Sequence, residues 1–237
     1  EEFSRVRQPN FQQVVNFLKT IVSSLSIRPD TVRLGLVFYS EEPRLEFSLD
    51  AFQNPAKILE HLDKLTYRER KGRTKTGAAL DFLRNEVFIQ EKGSRSNHGV
   101  QQIAVVITEG FSQDRVSRPA SHLRRAGVTI YAVGTHNVSE SKDLEKIASY
   151  PPWKNSVPLE SFLQLSIVGS KLTHQLCSEM VDSKVSISGT SYPLQEGRRV
   201  FSKFDVFKQK TFLSFFSCSM YPSRLSSNKE KILKSIH

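Results

Sequence analysis

The hydrophobic positions of this chain follow two periods in turn. Phe11, Val14, Val15, Leu18, Ile21, Val22 and Leu25 recur at three- and four-residue spacing, which gathers them on one face of a helix. Pro9 suits the first turn of that helix, and Pro29-Asp30 ends it in a turn. Val32-Arg33-Leu34-Gly35-Leu36-Val37-Phe38-Tyr39 is nearly continuous apolar text, which predicts a strand covered on both faces. After a turn at 40–43, residues 44–48 alternate polar and apolar, which predicts a half-exposed strand paired to the first as a hairpin. Asn54-Pro55 starts a helix bearing Ile58, Leu59, Leu62 and Leu65. A basic loop at 68–75 leads to a further helix with Ala78, Ala79, Leu80, Phe82, Leu83 and Val87.

The second half repeats the alternation. Ile103 to Thr108 predicts a buried strand that hands over to a loop at Glu109-Gly110. Residues 114–126 predict a polar helix with Ala120, Leu123 and Ala126 on its inner side, and 128–134 predict another buried strand. Leu144, Ile147 and Ala148 belong to a short helix. A last short strand is expected at 156–160 and a last helix at 161–178. Strands separated by helices give an α/β fold: a doubly wound, mostly parallel sheet with one antiparallel edge strand. Ligands of such sheets bind in loops beyond the carboxyl ends of the strands. Those loops are 40–43, 68–76, 109–114 and 134–140.

Beyond residue 180 the text changes. Residues 181–197 are rich in Ser, Gly and Thr, and Phe201, Phe204 and Phe207 sit among Lys203, Lys208 and Lys210. That phenylalanine–lysine stretch has the pattern of a segment lying on a membrane surface, against the simpler reading of a solvated tail. Residues 1–180 are therefore expected to form one domain and 181–237 a basic, poorly ordered tail. The net charge of +10 is concentrated there: residues 197–237 hold nine Lys/Arg against two Asp/Glu, or +7. A second basic stretch, 68–75, carries Arg68, Arg70, Lys71, Arg73 and Lys75 against Glu69. Both could hold a polyanion such as nucleic acid or an acidic polysaccharide. No apolar run reaches the roughly 18 residues of a membrane span. The two cysteines, Cys177 and Cys218, establish neither a disulfide framework nor a zinc site. The chain opens on Glu1 with no signal-peptide pattern; a fragment, a processed chain or an aberrant product is expected.

Enzyme readings lack parts. There is no Gly-x-Ser-x-Gly elbow, no His-Glu-x-x-His and no phosphate-binding glycine loop. The histidines are scattered along the chain. A non-catalytic binding module is expected.

The run VRLGLVFYSEEPRLEFSL, the loop-helix GRTKTGAALDFLRNEVF, the strand AVVITEG and the segment RRAGVTIYAVG stand in one order. Together with NFQQVVNFLKTIV they resemble the von Willebrand factor A domains of the long alpha chains of type VI collagen. The resemblance runs from about residue 9 to about residue 180. It implies a secreted matrix protein that joins other matrix proteins, other collagen chains among them; oligomeric state stays open. It also implies a metal site built from an Asp-x-Ser-x-Ser loop, a Thr and an Asp. The Thr position is Thr74 and the Asp position is Glu109, while no Asp-x-Ser-x-Ser stands in residues 1–8. The site is thus expected to be degenerate, with no Mg²⁺ cofactor. The strand that should carry the loop is missing too, and Phe212 to Phe216 is the candidate to fill its place. Asn137-Val138-Ser139 is an N-glycosylation sequon in a predicted loop.

Overall fold

The computed structural model describes residues 8–67, 73–108, 111–135, 142–170, 172–173 and 214–218. Helix α1 (Gln8–Ser24) precedes strand β1 (Val32–Tyr39), which turns into β2 (Pro43–Phe47). Then come α2 (Pro55–Asp63), α3 (Thr76–Phe82), β3 (Gln101–Thr108), α4 (Ser117–Arg125), β4 (Val128–Thr135), α5 (Asp143–Ile147), α6 (Pro152–Asn155) and β5 (Ser156–Leu159). Residues 165–170 and 172–173 are helical again. Strand β6 (Ser214–Cys218) comes from the tail.

One six-stranded sheet runs in the order β2-β1-β6-β3-β4-β5. Strands β3, β4 and β5 are parallel, and β1–β2 is the expected antiparallel hairpin. Strand β6 lies mid-sheet and runs antiparallel to both neighbours. Its Phe216 is in register with Leu34 and Ile103, and its Phe215 with Gly35 and Ala104. The filler expected at 212–216 is thus observed over 214–218. Other features expected of the tail, including the phenylalanine–lysine stretch, lie outside the described residues.

The sheet is covered on both faces, as its continuous apolar strands require. Alternate residues of β1, β3 and β4, such as Leu34, Leu36, Ile103, Val105, Tyr131 and Val133, join Val14, Leu18, Ile21, Ile58 and Leu62 of α1 and α2 in one core. The intervening residues Val37, Ala104, Val106, Ile130 and Ala132 join Leu80, Ala120, Leu123 and Leu144 of α3, α4 and α5 in a second. Of Leu34, Leu36, Phe38, Val105, Val106, Ile107, Ile130, Tyr131, Ala132 and Val133, ten apolar residues of the predicted strands, nine are buried. The tenth, Phe38, is half-buried: it sits near the end of β1 and leans on Phe11, ring centroids 6.1 Å apart.

Local departures have local causes. The helix expected to run through Val87 widens into a π-turn over Leu83–Val87, with the Phe88 amide donating to the Leu83 carbonyl. The helix expected from 114 starts only at Ser117, because Ser112 and Asp114 are committed to another helix.

Candidate functional site at the loop face

Three loops meet beyond the carboxyl ends of β1 and β3. The Lys75 amide donates to the Ser40 carbonyl at 2.9 Å, and the Gln113 amide donates to the Thr74 carbonyl at 2.8 Å. These bonds fasten the segment before α3 to the turn after β1 on one side and to the loop after β3 on the other. Lys75 Nζ also pairs with Glu41 Oε1 at 3.0 Å.

The start of α3 is held by side chains from about 36 residues further along the chain. Gly77 N and Ala78 N donate to the two carboxylate oxygens of Asp114 at 2.8 and 2.7 Å. Thr76 N donates to Ser112 Oγ at 3.0 Å, and Ser112 Oγ donates to Asp114 Oδ1 at 2.6 Å. A helix start leaves its first amides without intrahelical partners and carries a positive partial charge. A carboxylate supplied from outside answers both needs. Gly77 is required for this closeness: a Cβ there would lie 2.4 Å from the Arg115 carbonyl oxygen.

Beneath the face, the Tyr39 hydroxyl lies 3.5 Å from Thr76 Oγ1 and donates to the Ile107 carbonyl at 3.5 Å. Desolvation pushes its phenol above the ordinary value, hydrogen bonding to Thr76 and Thr108 pulls the other way, and the Asp114 carboxylate adds a smaller upward push. This tyrosine stays neutral and structural.

Of the site residues expected from the sequence, Thr74 is half-buried in the coil just before α3. Glu109, Asn137 and residues 68–72 of the basic loop lie outside the described residues. The described residues do not fit a hard divalent cation, which needs six or more oxygen donors with carboxylates among them. Both oxygens of Asp114 accept from the backbone of α3. Among the described residues, no cluster of three or more His, Cys, Asp or Glu side chains could hold a metal ion.

Sequence reading missed Ser112 and Asp114. A capping residue is recognisable when it directly precedes its own helix. Here the caps sit in one loop and the helix they serve starts in another. Asp114 stands instead at the first position of the helix predicted over 114–126.

Comparison with known proteins places this geometry. The family model for the von Willebrand factor type A domain matches residues 4–168. The collagen alpha-4(VI) chain of Mus musculus is 56% identical to the chain over all of its length, which spans 10% of that protein. Matrilin-1 of Gallus gallus is 36% identical over 73% of this chain and 34% of its own. Among solved structures, proximal thread matrix protein 1 from the mussel byssus, with a zinc-occupied MIDAS motif, superposes with a TM-score of 0.65 at 24% identity. That match covers 72% of this chain and 44% of the byssus protein, and it shows a shared fold. The chain thus spans about a tenth of the length of the collagen VI relative it matches.

Proposed function

The chain belongs to the von Willebrand factor type A domain family, and we propose that it is a non-catalytic module of the extracellular matrix. It binds other matrix proteins, collagens among them, through its loop face, and it does so without a divalent cation. The observation that carries the second half is the fate of Asp114. The Asp114 carboxylate is turned to the start of α3, where both of its oxygens accept backbone amides, and is not presented to a shared metal. Support for the first half comes from the 56% identity to a collagen VI chain and the 36% identity to matrilin-1. Secretion is part of the proposal, with a glycan on Asn137 in the segment between β4 and α5. Among the described residues, no helix is long and apolar enough to cross a membrane.

Phe111, exposed at 37%, is a large apolar side chain in the loop after β3 and a natural contact for a protein partner. The test is capture of a panel of purified matrix proteins, collagens included, on the immobilised chain. Capture should persist in EDTA and in Thr74→Ala, and fall about tenfold in Phe111→Ala, the scale of one anchoring aromatic. Capture abolished by EDTA and by Thr74→Ala would overturn the cation-free reading. No capture from the panel at all would overturn the module reading.

A further inference from the structure

We propose that Tyr150 and Trp153, beside the edge strand β5, form a docking corner for a single proline-rich segment in the polyproline II conformation. The site is separate from the loop face and does not depend on how that face is read. Tyr150 and Trp153 are the two most exposed large apolar side chains among the described residues, at 83% and 79%. They adjoin each other: the ring centroids lie 6.3 Å apart with the planes at 74°, the edge-to-face arrangement that aromatic pairs favour. Large aromatic side chains each carry about 150–250 Å² of surface, so the pair forms a patch of the size that marks a contact site.

Both rings stand on a braced segment between α5 and β5. The Ser149 amide donates to the Ile130 carbonyl of β4 at 2.8 Å, and the Ser149 hydroxyl accepts from the Ile130 amide at 2.9 Å. The buried Asn155 donates through Nδ2 to the carbonyls of Ser149 and Pro151 at 3.0 and 3.3 Å. Ser156 Oγ donates to the Pro152 carbonyl at 2.8 Å. Upstream, Arg124 Nη1 donates to the carbonyls of Lys146, Ile147 and Ala148 at 3.1, 3.0 and 3.0 Å, closing the end of α5. The main chain on either side of each ring is thus tied down, and Pro151-Pro152 between them restricts it further. None of these bonds uses the rings themselves. A site ordered in advance loses little affinity to ordering on contact, and Tyr and Trp each have only two χ angles to fix.

The chemistry of the corner selects the occupant. A polyproline II strand has no internal hydrogen bonds, so its carbonyls are free to accept, and its three residues per turn give it ridges facing three ways. Two ring planes at 74° meet two of those directions, whereas a flat ligand would lie on one ring alone. The Tyr150 hydroxyl and the Trp153 indole N–H are donors without a hydrogen-bond partner among the described residues. Apolar ring faces with donors at their rims match prolyl rings alternating with free carbonyls, and the strand is already ordered before it binds. A sugar is the competing ligand for exposed rings. It needs several placed polar groups beside the ring, and the amide of Asn155 is committed to the main chain.

Trp153 is the single tryptophan of the chain, so its emission reports on this site in the unaltered protein. The full chain is titrated with an oligoproline of about ten residues, which makes about three turns of the strand. The emission should shift to the blue and saturate, and the indole should become shielded from acrylamide. A Gly-Ser peptide of equal length, a flexible coil, should do neither. With labelled oligoproline followed by anisotropy, Tyr150→Ala and Trp153→Ala should each weaken binding at least about tenfold, the scale of one anchoring aromatic. Their melting temperatures should be unchanged, because both side chains are exposed. Ile167→Ala trims an exposed apolar side chain on the last helix and should stay within about twofold. No saturable shift with oligoproline would overturn the proposal, as would an equal shift with the Gly-Ser peptide or an equal loss in Ile167→Ala. A neutral oligosaccharide or a triple-helical peptide that saturated the emission change where oligoproline did not would overturn the assignment to a single proline-rich strand.

Discussion

The two halves of the sheet are built by different means. In the β3–β4–β5 half, each strand is parallel to its neighbour, and six consecutive residues of β3 pair with six of β4, from Ile103–Thr129 to Thr108–Gly134. Each connection passes through a helix, α4 or α5, that returns its apolar face to the same sheet. In the β2–β1–β6 half, a hairpin with a register shift between Leu36 and Val37 meets a five-residue strand delivered from residues 214–218. The first half is assembled by neighbours in sequence. The second is completed by a segment about 180 residues downstream of β1. Among the described residues, β6 is the strand that links β1 to β3 within the sheet. The helical layers join them a second time: α3 packs both Val37 of β1 and Val106 of β3 into one core.

This contrast orders the expected consequences of mutation. Val105→Asp places an unpaired carboxylate at a fully buried position of β3. It should cost more than about 4 kcal/mol and leave an unfolded chain by circular dichroism. Phe216→Pro removes a ladder donor from the centre of β6, and a proline does not fit a central strand. The loss should be about 2–3 kcal/mol, the cost of orphaning buried backbone partners. Urea denaturation would register it as a lower midpoint. An unchanged midpoint would mean that β6 is not integral and that the halves are joined by helices alone. Asp114→Ala uncaps α3, the helix that spans both halves, and should cost about 2 kcal/mol. Hydrogen exchange would locate the loss at Gly77 and Ala78. Asp63→Asn breaks an exposed pair with Lys19 between α1 and α2. It should change stability by no more than about 0.5 kcal/mol, which sets the floor for reading the others.

The same contrast explains what could be read from sequence. Ile103 to Thr108 and Val128 to Gly134 are runs of β-branched and apolar residues too long and too apolar for a loop, and both are strands at nearly their expected bounds. Asn54 announces α2 because it caps the helix it precedes, accepting from the Lys57 amide at 3.0 Å. Asp114 caps at a distance, so local text pointed to the wrong helix. Strand β6 was legible only as a short apolar run opposite a gap, since nothing in Ser-Phe-Phe-Ser-Cys specifies direction or partners. Its antiparallel course follows from pairings with residues far away in sequence. Thr74, the metal position that the resemblance implies, lies in the coil just before α3. What surrounds it depends on which carboxylates are already occupied, and only three-dimensional contacts reveal that.

The central claim is that this loop face serves adhesion without a divalent cation. Titration of the full chain with Mg²⁺ by calorimetry tests it most directly. No saturable heat should appear at micromolar concentrations, and Thr74→Ala should give the same trace, because the Asp114 carboxylate is held by Gly77 and Ala78 and Glu41 is paired with Lys75. Saturable micromolar binding of Mg²⁺ that Thr74→Ala abolishes would contradict the account.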